Sequence, residues 1–175
     1  RLFLGIWADQ YGGRIVNVAV MLLSALATWL LTFASTYPEF LLAGLGLGLA
    51  GGSFSVSITY VSKFFPGDKQ GTALGIVGAG NVGAAVTKFA APIVMAAMGW
   101  KGVANVWALG LVIAAVIFFA FTKDDPELAA RRASGTKPRS FAAQFEPLRN
   151  VQVWRFSLYY FFVFGAFVAL ALWLP

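Results

Sequence analysis

Asn81 is the only side-chain amide in a long run of small and apolar residues, Gly71 to Pro92, GTALGIVGAGNVGAAVTKFAAP. Gly71, Gly75, Ala79 and Gly83 recur every fourth residue and form one stripe on a helix, which Gly80 and Ala84 widen. In water each such glycine weakens a helix by about 1 kcal/mol against alanine. In a membrane the same stripe lets a neighbouring backbone come close. An amide set there makes either a helix-to-helix hydrogen bond or a contact to a bound solute, and these residues alone leave both readings open. Lys88, seven residues further on, shares the face of Asn81. At ~1.5 Å per residue it lies ~25 Å from the start of the run, near a membrane surface. There a lysine snorkels or draws anions into an outer vestibule, the alternative being a direct place in a site.

Other chemistry is excluded by what the chain lacks. It contains no cysteine and no histidine. That removes disulfides, thiolate metal sites and the commonest acid–base group. No nucleophile–base pair or metal-ligand cluster stands at a usable spacing, so neither an enzyme, nor a metal, nor a cofactor is expected.

The elements that must position Asn81 follow from composition. Hydrophobic residues make up 59% of the chain and charged residues 11%, against roughly 25% charged in a soluble domain. The apolar runs are long and show no two-residue alternation. An all-α integral membrane protein is therefore expected. Residues 1–9 read as the tail of a helix and 10–14 as a tight glycine turn. Spans follow over 15–35, 40–65, 71–98 and 103–122, with a polar turn at 66–70 and a short turn at 99–102. The run 40–65 carries a second glycine stripe, Gly44, Gly48 and Gly52. Residues 123–153 are a long polar loop, expected to carry an amphipathic surface helix near 126–132 or else to be a flexible linker, and a last span begins at 154. That makes about six transmembrane helices, two of them partial. The domains read as an amino-terminal bundle (1–122), a central loop (123–153) and the start of a carboxy-terminal bundle (154–175). The chain opens inside one apolar helix and stops inside another, which reads as a piece of a longer protein.

The net charge of +6 lies in the loops, so it orients the chain rather than binding nucleic acid. One side holds Arg14, Lys63, Lys69, Lys123 and the six basic residues from Arg131 to Arg155, and the other holds Lys101 alone. That asymmetry puts the first side, with the central loop, in the cytoplasm. The location expected is a multi-pass protein of the inner cell membrane.

Two resemblances sharpen this. Gly5, Asp9, Gly13 and Arg14 stand at the spacing of the loop signature of the major facilitator superfamily, between its second and third helices. Gln10 replaces the usual basic residue after the Asp. The resemblance implies a major facilitator fold, here a fragment. It also implies that Asp9 and Arg14 pair with a neighbouring helix end and latch one conformation; without it they are a charged turn.

The second resemblance covers the whole chain. Arg1 ahead of Gly5, the run Gly51-Gly52-Ser53-Phe54, the run Gly78-Ala79-Gly80-Asn81-Val82-Gly83 and Tyr160 with Phe164-Gly165 resemble the nitrate/nitrite porter family. It implies an anion site made of Arg1, Phe54, Asn81, Tyr160 and Phe164, with Gly78 and Gly80 in the signature run. It implies no cofactor, a small inorganic anion and the lipid bilayer as partners, and a monomer. A second arginine is expected on a helix beyond Pro175.

Depth is an independent check. At ~1.5 Å per residue, Arg1 lies ~12 Å deep, Phe54 ~16 Å, Asn81 ~15 Å, Tyr160 ~10 Å and Phe164 ~16 Å. The hydrocarbon midplane is ~15 Å in, where carriers place their sites. Arg1 has no acidic residue at its level in this chain. Its partner is then a bound anion, or else a carboxylate on a helix outside the chain. A guanidinium offers paired coplanar donors that match two oxygens of a planar anion. Phe54 and Phe164 would close over the flat faces, although each alone reads as ordinary packing. No carboxylate or histidine sits at mid-depth, which favours exchange of nitrate for nitrite over proton coupling. The rival readings are a proton-coupled facilitator for a sugar or drug, and a membrane scaffold that transports nothing.

Overall fold

A computed structural model describes residues 2–134 and 142–173. Arg1 lies outside them. The chain divides into two compact units, Arg1–Pro138 and Arg139–Pro175.

In the first unit, α1 (Leu2–Tyr11) and α2 (Gly13–Leu31) are separated by Gly12 alone. Its φ of 96° lies in the left-handed region that glycine adopts without strain. The chain turns so tightly that a Cβ on Gly13 would stand 2.6 Å from Tyr60 Cβ. We expect Gly13→Ala to force α2 away from the helix that carries Tyr60 and to destabilise the full-length protein by about 1–3 kcal/mol. A thermal melt in detergent reads this directly, and an unshifted melt would contradict the packing.

The next connection is capped by Glu39, and its helix starts at Tyr37, three residues before the span expected from residue 40. Glu39 Oε2 accepts the backbone N–H groups of Ser35 at 2.7 Å and Thr36 at 3.0 Å. Pro38 stands in the first turn, where its missing N–H costs nothing. Then α3 (Tyr37–Gly48) tightens into a 3₁₀ turn, Leu49–Gly52, and resumes as α4 (Ser53–Ser62). The span expected as one helix over 40–65 is therefore broken at its middle. The cause is local: two glycines with weak helix preference, and Ser53 Oγ donating to Ala50 O at 2.7 Å.

The polar turn expected at 66–70 is instead helical, because α5 begins at Gly67 and runs to Ala79. Pro66 is extended and its carbonyl accepts from Lys69 N at 2.9 Å and Gln70 N at 3.1 Å. Asp68 stands in the first turn, where the helix dipole favours a carboxylate. Gln70 Nε2 reaches back to Ser62 O at 3.0 Å and Phe65 O at 3.2 Å, closing the end of α4.

Next, α6 (Val82–Phe121) is interrupted at Gly99, with φ 72° and ψ 178°. Trp107 Nε1 donates to Thr87 Oγ1 at 3.2 Å. Twenty residues along a straight helix would hold these groups ~30 Å apart, so 82–98 and 100–121 fold back on each other as two crossings. The turn expected at 99–102 is made by Gly99 alone. Last in this unit is α7 (Pro126–Ser134), the amphipathic helix expected near 126–132.

The core forms around α2, which packs against α1, α3, α4 and α6. Leu4, Ala8, Val16, Val20 and Val56 make its buried cluster. Fully buried Asn17 donates to Ser57 Oγ at 3.3 Å. Much of the remaining apolar surface, Leu42, Phe89 and Phe121 among it, is exposed, as suits helices that face hydrocarbon.

In the second unit a 3₁₀ helix (Ala142–Arg149) leads into α8 (Val151–Trp173). Asn150 Oδ1 accepts from Gln152 N at 2.9 Å and caps α8, which starts three residues before the expected Trp154.

Four helical stretches are long and apolar enough to cross a membrane: Gly13–Leu31, Tyr37–Ser62, Gly67–Phe121 and Val151–Leu170. Gly99 makes two crossings of the third. With the short α1 these make six among the described residues, the number expected, but α8 is long enough to cross and only α1 is too short.

Candidate functional site

The glycine run around Asn81 is a second break in a membrane crossing. Between α5 and α6, Gly80 N bonds Val77 O, Asn81 N bonds Gly78 O, Gly83 N bonds Gly80 O and Ala84 N bonds Asn81 O, all at 3.0–3.1 Å. These are i→i+3 bonds, tighter than the α-helix, and such a stretch inside a helix commonly marks a functional hinge. Asn81 is exposed, and its side chain makes no hydrogen bond among the described residues. A Cβ on Gly71, Gly75, Gly78 or Gly83 would meet no atom within 4 Å. The close helix approach that this stripe permits is therefore not used within the described residues. On the other stripe, Gly44 and Gly48 are equally open, while a Cβ on Gly52 would stand 2.1 Å from Leu4 Cδ1.

Phe54 follows the 3₁₀ turn in the first turn of α4 and is half-buried. Phe54 and Asn81 thus sit next to 3₁₀ breaks at the middle of their crossings, while Arg1 lies outside the described residues. Lys88 lies further along 82–98 and is exposed. In the second unit Tyr160 and Phe164 stack face to face on α8, ring centroids 5.3 Å apart and planes 7° apart. Tyr160 is 44% exposed.

The signature at the α1–α2 corner is gathered into a charge network. Arg14 Nη1 pairs with Asp124 Oδ1 at 2.9 Å, and its Nη2 donates to Phe119 O at 2.6 Å. Phe119 is in the last turn of α6, where a cation meets the negative end of the helix dipole. The guanidinium also lies 4.2 Å above the Phe119 ring. Lys63, one residue past α4, binds two carboxylates: Asp9 Oδ1 at 3.1 Å and Asp125 Oδ2 at 2.8 Å. Burial by itself would lower the Lys63 ammonium, but the hydrogen bonds to Asp125 and Asp9 and the attraction of their charges together outweigh it and raise the pKa above lysine's ordinary value. Gly5 is half-buried in α1, with open space where a Cβ would stand.

The motif pointed to Asp9 and Arg14, but their partners were missed. Lys63, Asp124 and Asp125 lie 54 to 110 residues from the groups they bind. The one local signal was Asp124-Asp125-Pro126, an acidic helix start directly after an apolar run.

Among the described residues no group of three or more His, Cys, Asp or Glu is placed to hold a metal.

The model of the Major Facilitator Superfamily matches residues 1–175. A protein of Thermus thermophilus named "Probable nitrate/nitrite antiporter NarK1" is 43% identical over all of this chain and 41% of its own length. The "Nitrite extrusion protein" of Bacillus subtilis is 33% identical over all of this chain and 42% of its own. A "Probable nitrate transporter NarT" of Staphylococcus epidermidis is 34% identical over all of this chain and 43% of its own. The chain spans about two fifths of the length of these relatives. No solved structure matches it significantly. With the family model matched from residue 1 to residue 175 and the apolar crossings in place, the chain belongs to the Major Facilitator Superfamily, a family of multi-pass membrane transporters.

Proposed function

We propose that this chain is part of a carrier that exchanges nitrate and nitrite across the inner cell membrane by alternating access. Residues 1–122 belong to the amino-terminal bundle, 123–153 to a cytoplasmic central loop and 154–175 to the start of the second bundle. The carrier works as a monomer, binds no nucleic acid and catalyses no reaction.

One observation carries the reading. Asn81, the lone amide of the glycine run, stands at a 3₁₀ break inside a membrane crossing and offers its side chain to no described neighbour. Relatives named for nitrate and nitrite, similar along the whole chain, support the identity of the solute. In this reading Arg1 supplies the paired donors and positive charge, and Asn81 and Tyr160 each donate to an oxygen. Phe54 and Phe164 cover the flat faces and keep water out. Gly78 and Gly80 keep the backbone beside the anion free of side chains. Lys88 draws anions into the outer vestibule. Gly5, Asp9, Gly13 and Arg14 latch one of the two conformations. Exchange needs no proton carrier at mid-depth, and these crossings contain none.

Asn81→Leu tests the site in the full-length protein. It removes one neutral hydrogen bond, worth about 0.5–1.5 kcal/mol. The half-saturating nitrate concentration should rise about three- to tenfold, with the melt unchanged because Asn81 is exposed. An unaltered half-saturation would remove Asn81 from the site.

A further inference from the structure

The 3₁₀ turn before α4 does more than interrupt a crossing. A 3₁₀ turn rises ~2.0 Å and rotates ~120° per residue, against ~1.5 Å and ~100° in an α-helix. Through Leu49–Gly52 it carries α4 ~2 Å further and ~80° further round than an unbroken helix would. Phe54, the second residue of α4, takes the whole of that displacement. The turn is held on its buried side. Gly52 is buried, and a Cβ there would overlap Leu4 Cδ1. Leu4 is itself 8% exposed and belongs to the cluster of Ala8, Val16, Val20 and Val56. That cluster encloses the leucine, whereas 3₁₀ hydrogen bonds have poorer geometry and yield more readily. A methyl group at position 52 would therefore move the turn. Along α4, Asn17 of α2 donates to Ser57 Oγ at 3.3 Å. Val56 is fully buried in the cluster. Phe54, two residues before it and so ~200° round the helix, stands on the opposite face and is half-buried.

We propose that Leu4, seated in the notch left by Gly52, positions the anion site: the notch holds the 3₁₀ turn, and the turn sets the depth and direction of the Phe54 ring. Leu4 and Gly52 are positioning residues and touch no anion themselves. The proposal rests on the reading that places Phe54 at the nitrate site. A ring that covers the flat face of a planar anion works only in contact with it, and dispersion falls off steeply with a small gap. A displacement of ~2 Å along the axis with a rotation of ~80° is enough to lose that contact.

The test is a double-mutant cycle on nitrate flux in vesicles holding the full-length protein. Gly52→Ala should raise the half-saturating nitrate concentration about three- to tenfold, with maximal flux within about twofold of the parent. Adding Leu4→Val removes the carbon that the new methyl strikes and nearly conserves volume, so half-saturation should return to within about twofold of the parent. Phe54→Ala should itself raise half-saturation. Adding Gly52→Ala to Phe54→Ala should change it by less than about twofold, because the ring that the turn positions is gone. An unaltered half-saturation in Gly52→Ala overturns the positioning. So do rises that multiply in the Phe54→Ala background, and so does failure of Leu4→Val to rescue, since Gly52 then acts on stability alone. Leu4→Ala, which empties the notch, enters the same cycle with Phe54→Ala should Gly52→Ala not fold. A half-saturation unmoved by Phe54→Ala would instead take Phe54 out of the nitrate site. Labelling of Phe54→Cys by a maleimide, on a background cleared of other cysteines, then decides the notch. Its rate should change at least about threefold on adding Gly52→Ala and return with Leu4→Val, and an unchanged rate overturns the notch.

Discussion

Replacing Arg1 by lysine in the full-length protein should raise the half-saturating nitrate concentration about ten- to hundredfold while leaving the fold intact. Lysine keeps the charge, so this substitution isolates the geometry. A guanidinium presents two coplanar N–H groups that meet two oxygens of a planar anion at once, and an ammonium meets them as a single point charge. Losing one charge-assisted hydrogen bond is worth about 1.5–3 kcal/mol, and each 1.4 kcal/mol is about tenfold in affinity. Arg1→Ala should be worse, because it also removes the charge that compensates the anion in a poorly solvated site. Flux against nitrate concentration in vesicles separates the two variants. Full flux at the parent's half-saturation in Arg1→Lys would show that the arginine serves some other purpose.

The second large effect is on stability. Lys63→Met should destabilise the full-length protein by about 3–5 kcal/mol, the cost of leaving a buried charge without its partner. The reason is Asp125, which is 1% exposed and has the Lys63 ammonium 2.8 Å away. Asp9 contributes less, since it is half-exposed and water can replace its partner. Lys63→Arg should recover much of the loss, and Asp125→Asn with Lys63→Met should be milder than Lys63→Met alone. Alkali gives a further readout. The folded Lys63 pKa is raised, so its stabilisation is complete below lysine's ordinary value and disappears as pH rises through the folded value. The parent should therefore lose thermal stability at strongly alkaline pH, through a step that Lys63→Met lacks. Parallel alkaline melts would contradict that pairing.

Much of this fold is visible in local patterns. Gly12 and Gly99 announce corners because a turn with positive φ needs glycine. The amphipathic run from Pro126 announces α7. Two features were hidden for a physical reason. Glycine density on 40–65 and 71–98 has two meanings, close packing and local tightening. Its spacing suggested packing stripes, whereas the backbone uses Gly51-Gly52 and Gly80 to tighten into 3₁₀ turns. Gly67-Asp68-Lys69-Gln70 looks like a turn by polarity, yet Pro66 makes it the first turn of a helix. The site divides in the same way. Asn81 stood out because a lone amide among small residues is conspicuous. Phe54, Tyr160 and Phe164 are three of many aromatics and were marked only by the family resemblance. Lys63 and Asp125 form a pair 62 residues apart, and no short-range pattern encodes such a contact.

The central claim is that a single planar-anion site, built on Arg1, exchanges nitrate for nitrite. Counterflow tests it most directly. Vesicles holding the full-length protein are loaded with nitrite and placed in labelled nitrate, with the proton gradient collapsed. Rapid nitrate entry is expected, several times faster than in vesicles loaded with chloride, and abolished at low nitrate by Arg1→Lys. Entry that needs the proton gradient and ignores internal nitrite would contradict the exchange, and entry unaffected by Arg1→Lys would contradict the site.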